Sequence, residues 1–347
     1  MMNDTDLPAI DAPLRPQHFQ GRQSVIDPIC DRLRQPELLS SQVVGGPKSG
    51  KTSLLCYLAS ESADPALGRA VHLVRVYVDA VGLGPQATPD QFWVLVCREL
   101  RNSSVGAELL DRHAPLDAAF AKALERSRKG VLDIFDLQDL FDGFAKIDRP
   151  VVVLVDEFDT VIANSHFLPP AAFFDQVRNL CNRSPRGLAF VATTGRPLSD
   201  VGAAAAGPSP PYNHFGTIPL APLSDDDIRD QLDRLAKLRG VAFCDDDWQE
   251  VARASRGQPM LASYLVRRTV DALAAGSSLD EQQLKAIITD PDGPYVRLNQ
   301  AILAALNARE RQAVQAWLQD PNAVTDGQRE LLLRLRKFAL LPPGVEI

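Results

Sequence analysis

The sequence is sparing with the residues that build extracellular or metal-held frameworks. Its 347 residues include only five cysteines, five histidines and three each of methionine and tryptophan. Cys30, Cys56, Cys97, Cys181 and Cys244 are odd in number and widely spaced. That argues against a disulfide framework and for reduced residues set in a core. His18, His72, His113, His166 and His214 form no pair at metal-ligand spacing, so no zinc site is expected. No apolar run approaches the roughly 18–20 residues that cross a bilayer. Met1 to Gln17 is polar and carries Pro8, Pro13 and Pro16, unlike a signal peptide; it reads as a flexible arm, and the chain as cytoplasmic. Positive charge is also in deficit, with 37 Lys and Arg against 44 Asp and Glu and a net charge of −7. This argues against a surface coated for non-specific nucleic-acid binding, while leaving room for a local basic face.

What remains is ordinary globular material, 45% hydrophobic and 23% charged, long enough for two domains or three small ones. Helical periodicity runs from about Ser24 to Arg34. Gln42 to Val44 is a short apolar run, and Lys51 to Ser60 is again helical. Val71 to Val78 alternates as a strand does, and two or three helices are expected between Pro89 and Ile147. Val151 to Val155 is continuously apolar, the pattern of a parallel strand buried on both faces. A helix over Ala171 to Cys181 precedes a second buried strand, Gly187 to Thr193. Residues 195–215 read as loop, and Thr217 to Leu220 as a last strand. From Ser224 onward only helices are expected, at 225–239, 246–255, 259–274, 280–288, 296–306, 308–318 and 326–337. The expected fold is therefore α/β, a parallel sheet sandwiched by helices, followed by an all-helical part.

The chemistry lies in the turn after the first strand. Gly45-Gly46-Pro47-Lys48-Ser49-Gly50-Lys51-Thr52 matches G-x-x-x-x-G-K-[ST] in full, the Walker A pattern, and sits between a strand and a helix. Its glycines let backbone N–H groups curl around a phosphate, and the helix beginning near Lys51, with Ser53 in its first turn, adds its positive end. Lys51 is expected on the β- and γ-phosphates and Thr52 on Mg²⁺. Asp156 and Glu157 follow the buried strand in a Walker B arrangement. Asp156 is expected to hold Mg²⁺, and Glu157 to orient or deprotonate water. Thr193 or Thr194, ending the neighbouring strand, is placed to sense the γ-phosphate, with Arg196 as a phosphate contact. Arg183, Arg186 and Arg196 are the candidates for an arginine finger. Asp159 is read as a cap or a ligand of its own loop.

These motifs resemble the STAND class of P-loop ATPases, relatives of the AAA+ proteins. Phe19-Gln20-Gly21-Arg22 resembles the F-x-G-R box that covers the nucleotide base. Tyr212-Asn213-His214-Phe215 and Ile218 to Ser224 resemble the passage from sheet to lid. Gly257-Gln258-Pro259 resembles the lid's G-x-P motif, whose proline packs near adenine. The resemblance covers about residues 18–290. It implies an arm over 1–17, an ATPase sheet domain over 18–222, a helical lid over 223–290, and a winged-helix-like module over 291–347 whose wing is missing. It implies ATP or ADP with Mg²⁺ held against the lid, slow hydrolysis, and a switch that controls assembly with itself or with a protein partner, as in bacterial defence or signalling. STAND proteins usually append a sensor or an effector; this sequence shows neither, so it is either a fragment or works with a separately encoded partner.

Two alternatives remain. One is a DNA-handling AAA+ ATPase, such as a transposition regulator or origin-type loader, for which Arg329, Arg334, Arg336 and Lys337 on the last helix would be the contacts. Against it, Arg267 and Arg268 do not form the sensor arginine motif expected of such a lid. The other is a nucleotide-gated scaffold with negligible turnover.

Overall fold

The valine-rich stretches, too apolar to face water on either side, set the frame. The computed structural model describes residues 12–84, 86–163, 170–201 and 214–342. Their contacts group into two compact units.

The first unit, formed from Ser24–Val44 and Leu54–Ile218, holds the sheet. Its elements begin with α1 (Gln23–Leu33), β1 (Ser41–Val44), α2 (Lys51–Ala59), α3 (Asp64–Leu67) and β2 (Val74–Asp79). Then follow α4 (Pro89–Asn102), α5 (Ser104–Arg112), α6 (Ala114–Arg128) and α7 (Ile134–Lys146). β3 (Val151–Asp156), α8 (Phe158–Ala163), α9 (Pro170–Arg183), β4 (Leu188–Thr194), α10 (Leu198–Val201) and β5 (Gly216–Pro219) complete it. The strand order is β2-β3-β4-β1-β5, with parallel pairing of β2 to β3, β3 to β4 and β4 to β1.

Three expectations fail here. The stretch 195–215, read as loop, contains the short helix α10. Residues Val71 to Leu73 precede the strand, in a 3₁₀ turn and its cap, because Leu73 N–H returns to Ala70 O at 3.2 Å. Four helices, not two or three, separate β2 from β3. Two of their three joints are single residues: Ser103 ends α4 while its hydroxyl caps α5, and His113 ends α5 and starts α6. These helices are apolar on one side, and Phe92, Trp93, Phe141 and Phe144 from them join Phe158 and Phe190 in the main core. Phe92 and Trp93 meet edge-on at 5.3 Å, a favoured aromatic geometry.

Side chains alternate along a strand. Val74, Val76 and Val78, with Val151, Val153 and Val155, turn into that core. Tyr77, Asp156 and Thr193 therefore share the opposite face. The cysteine expectation holds for Cys30, Cys97 and Cys181, which are buried; Cys56 is half-buried and Cys244 exposed, and all five are free thiols.

The second unit combines residues before Ser24, the loop Gly45–Ser53 and the chain from Pro219 on. It contains α11 (Asp225–Arg239), α12 (Asp245–Ser255), α13 (Pro259–Ala274), α14 (Glu281–Thr289), α15 (Pro294–Ala305), α16 (Ala308–Gln319) and α17 (Asp326–Lys337). Among the described residues it has no strand beyond the end of β5. α11 starts in a capping box of Ser224 and Asp227, with three aspartates in its first turn, and ends at Gly240 in the left-handed conformation. Ile228, Leu232 and Ala236 of α11 close a core with Leu261, Leu265 and Val270 of α13 and Leu298 and Ile302 of α15. The end of the arm expected over 1–17 enters a 3₁₀ turn, Pro16–His18, and Leu14 N–H donates to Ser53 Oγ at 3.0 Å. Tyr212 and Asn213 lie outside the described residues.

Candidate functional site

In the helical unit, the loop from Gly45 to Ser53 is gripped from several sides. Lys51 begins α2 and is buried; its Nζ donates to Gly45 O at 2.9 Å and Gly46 O at 3.1 Å, so the ammonium folds the loop around itself. Ser49 is buried, and its Oγ has no hydrogen-bond partner. An orphaned hydroxyl costs free energy unless a ligand or water satisfies it, and it sits in a loop whose pattern is built for phosphate. Pro47, Gly50 and Thr52 are half-buried, Ser53 is buried and Lys48 is exposed.

Arg22 is only 5% exposed. Its guanidinium donates to Ser49 O at 2.8 Å and to Ala221 O, and its N–H donates to Asp227 Oδ1 at 3.1 Å. Burial, partly offset by Asp227, pulls its pKa down to about 10. The arginine expected to cover a base ties the phosphate loop to the segment entering α11; Gly21 precedes it, packed against Asp227. A Cβ built on Gly50 would lie 3.9 Å from Arg22 and 4.0 Å from Pro259 Cγ, so Gly50, Arg22 and Pro259 come together. The G-x-P turn needs its glycine: Gly257 has φ +72°, its carbonyl accepts from Leu223 N–H at 2.7 Å, and a Cβ there would strike Leu223 O.

A small cavity of about 70 Å³ opens nearby, lined among others by Leu14, His18, Arg234, Leu235, Val266 and Arg267. Leu14 connects this cavity to Ser53 through the bond already described. Sequence reasoning missed a further contact, at the end of α17. Gly46 N–H donates to Phe338 O at 2.8 Å, and Phe338, Ala339, Leu340 and Leu341 are buried.

In the sheet unit, the parallel register sets Asp156 and Thr193 at the carboxyl edge. Val155 pairs with Ala192, so the next residues on β3 and β4 are Asp156 and Thr193. Thr193 Oγ1 donates to Asp156 Oδ1 at 2.5 Å. Glu157 N–H reaches Thr193 Oγ1 at 3.1 Å and Asp156 Oδ1 at 3.2 Å. Tyr77 Oη, on β2, donates to Asp156 Oδ2 at 3.2 Å. Asp156 is 3% exposed and pairs with no basic side chain among the described residues. Burial, with Asp156 next in weight, holds the Tyr77 phenol well above its ordinary range, so the hydroxyl keeps its proton. Tyr77 was not singled out from the sequence; the signal was its place two residues after Arg75 on a strand where it alternates with the valines Val74, Val76 and Val78.

A buried carboxylate without a cationic partner is costly, and Asp156 fits a divalent ion approached from the strand ends. Among the described residues no group of three or more His, Cys, Asp or Glu could hold a metal. An ion of the Mg²⁺ kind keeps water and phosphate oxygens and takes only one or two protein ligands.

Glu157 is half-buried with φ +53°, a left-handed conformation rare for a residue with a side chain. Thr194 lies on the sheet face opposite Thr193, fully buried, its Oγ1 without a partner. Asp159 Oδ2 accepts from Gly195 N–H at 2.8 Å, so it is a ligand of the loop after β4. Arg196 is half-buried, and Arg183 and Arg186 are exposed. The Arg183 guanidinium lies 5.3 Å over the Phe135 ring, a cation–π contact.

No protein-family model and no curated protein matches the sequence. Solved structures do. A Walker-type ATPase of Pyrococcus abyssi is similar over 95% of this chain and 93% of its own, at 15% identity and a TM-score of 0.55. The ORC2 protein of Aeropyrum pernix, solved in ADPNP–ADP complexes, is similar over 99% of this chain and 85% of its own, at 16% identity and a TM-score of 0.52. The same protein in its ADP form gives 16% identity and a TM-score of 0.51 over the same shares of both chains. The likeness shows the fold, the parallel α/β sheet of the Walker-type ATPases.

Proposed function

We propose that this chain is an ATP-binding, slowly hydrolysing switch of STAND type, which couples its nucleotide state to assembly with itself or with a protein partner. One observation carries the reading: a complete phosphate loop follows the carboxyl end of β1, and Asp156, the last residue of β3, and Thr193, next to last in β4, lie at the carboxyl ends of their parallel strands. Ligands of open α/β sheets bind outside the carboxyl ends of the strands. The ADP and ADPNP complexes of the similar ORC2 protein support an adenine nucleotide.

In this reading backbone N–H groups from Pro47 to Thr52 and the start of α2 bind the phosphates, and Lys51 leaves the loop carbonyls for the β- and γ-phosphate oxygens. Thr52 and Asp156 would hold Mg²⁺, which when bound neutralises phosphate charge. Glu157 orients and deprotonates the attacking water, and Thr193 holds Asp156 while sensing the γ-phosphate. The strained backbone at Glu157 supports a catalytic role, since such conformations gather at functional sites. The cavity beside Leu14 and Val266 takes the base. Its lining joins the arm, through Leu14 and His18, to α13, through Ser263, Val266 and Arg267, and this is how nucleotide state reaches the lid. A ligand shifts a conformation only by binding one state better than another, and Arg22, bonded to Ser49 and Ala221, lies on that route.

The test is direct. Wild type should bind ATP and ADP and release phosphate slowly. Lys51→Ala should lose nucleotide affinity, and Glu157→Gln should keep affinity and lose turnover. If Lys51→Ala changed neither, the site assignment would be wrong. Wild-type turnover no faster than that of Glu157→Gln would make the chain a scaffold. Mass measurement in solution with ADP and with ADPNP tests the assembly step.

A second reading, a DNA-handling ATPase, is favoured by one surface. Arg329, Arg334, Arg336 and Lys337 are exposed along α17 above buried Leu332 and Leu335. It requires ATP-dependent DNA binding that falls steeply with salt; absence of binding at low salt removes it.

A further inference from the structure

The acceptor sites on Asp156 are almost used up. An ionised carboxylate offers about four lone-pair sites, two on each oxygen. Oδ1 receives Thr193 Oγ1 and Glu157 N–H. Among the described residues Oδ2 receives Tyr77 Oη alone. That leaves one site, on Oδ2, and the tyrosine fixes where it points. Without that bond the carboxylate is held at Oδ1 only, as on a hinge, and Oδ2 is free to swing.

The neighbourhood keeps Tyr77 in place. Two residues earlier on the same strand face, Arg75 donates to Ser60 O at 2.6 Å and Leu58 O at 3.3 Å and pairs with Asp64 at 2.8 Å. β2 is thereby fixed to the carbonyl end of α2, and the phenol reaches Asp156 diagonally, since its own register partner is Leu154.

We propose that Tyr77 is the positioning residue of the divalent-cation site: its hydroxyl sets the one free acceptor site of Asp156. This rests on the nucleotide-binding reading above. Groups that orient a metal ligand typically cost 10–100-fold in metal affinity when removed. Tyr77→Phe leaves the ring and its packing in place and deletes only the donor, so the effect should fall near the lower end, about tenfold.

The experiment uses the full chain and a fluorescent ATP analogue, titrated in EDTA and at a series of Mg²⁺ concentrations. Binding in EDTA also reports that each variant has a folded site. Tyr77→Phe should bind as wild type in EDTA and need about tenfold more Mg²⁺ for half of the metal-dependent gain. Asp156→Asn should lose most of that gain. An unchanged or lowered Mg²⁺ midpoint for Tyr77→Phe, with Asp156→Asn defective, overturns the proposal and leaves the nucleotide site standing. Equal loss in EDTA and in Mg²⁺ makes Tyr77 a packing residue and also overturns it. If wild type does not bind, or Asp156→Asn keeps the full Mg²⁺ gain, the site assignment falls and this inference with it.

Discussion

Replacing Arg22 with methionine tests the grip on the phosphate loop. The guanidinium is nearly fully buried and has two carbonyls as its side-chain acceptors, Ser49 O and Ala221 O. Burial works against it: a fall from 12.5 to about 10 corresponds to about 3 kcal/mol against the charged form. Two hydrogen bonds from a charged donor return about 3–6 kcal/mol, at about 1.5–3 each. In the intact protein the residue therefore runs near balance. Its removal does not, because two buried carbonyls then lose their donor at about 1–3 kcal/mol each. Methionine fills much of the space without offering a proton, so Arg22→Met should lower unfolding free energy by about 2–4 kcal/mol. Urea denaturation with an unchanged m-value measures this, and amide exchange should quicken around Ser49 and Asp227. A variant as stable as wild type would refute the reasoning, since the buried cation would then contribute nothing through its bonds.

Three further outcomes are expected. Gly46→Ala should force the end of α17 off the phosphate loop, since the new Cβ would strike Ala339 O and lie 3.0 Å from Ala339 C. Overpacking of this kind costs about 1–3 kcal/mol, and faster proteolysis near Leu340 should report it. Asp136, at the start of α7, is buried with Lys122 at 3.0 Å and Arg126 at 2.5 Å. Its burial opposes ionisation, but the Lys122 donor, the Asp133 N–H and the charges of Arg126 and Lys122 prevail and hold its pKa below the ordinary range. That stabilisation is present above the unfolded value of about 4 and is lost as pH falls through the lower folded value. Asp136→Asn should cost about 2 kcal/mol at neutral pH and flatten this acid limb in chemical denaturation. Among the thiols, burial pushes Cys30 up to about 11 and Cys97 and Cys181 up to about 12. Iodoacetamide at pH 7.5 should modify exposed Cys244 first and leave those three intact; early loss of Cys181 would contradict the burial.

What the sequence disclosed follows from how local each signal is. β3 was legible because a strand buried on both faces must be apolar throughout, and α11 because Ser224 and Asp227 cap it within four residues. The phosphate loop was legible because its pattern is contiguous. The count of helices after β2 was not, because Ser103 and His113 each serve two helices and leave no loop to read. Arg22 was found as a motif, but its acceptors lie 27 and 199 residues away, and no periodicity announces a pairing of that kind. Thr193 and Thr194 were equivalent on paper. Strand alternation separates them, sending Thr193 toward Asp156 and Thr194 to the other face. Tyr77 was hidden by the strand pattern that contains it, since a tyrosine there satisfies β propensity without further cause.

The phosphate loop belongs, by its contacts, with the helical unit, and this constrains how a switch could work. Leu14 holds Ser53, Arg22 holds Ser49, and Phe338 holds Gly46. These come from three separate parts of the chain, and each engages a different residue of the loop. A phosphate that draws Lys51 off Gly45 O and Gly46 O, and satisfies Ser49 Oγ, changes groups directly bonded or adjacent to all three. Each bond is worth only about 1 kcal/mol net for a neutral pair and about 1.5–3 for the arginine. A ligand binding at micromolar strength carries about 8 kcal/mol, enough to rearrange any one of them. On the proposed reading, the arm, the segment entering α11 and the end of α17 are thus each within energetic reach of a bound nucleotide.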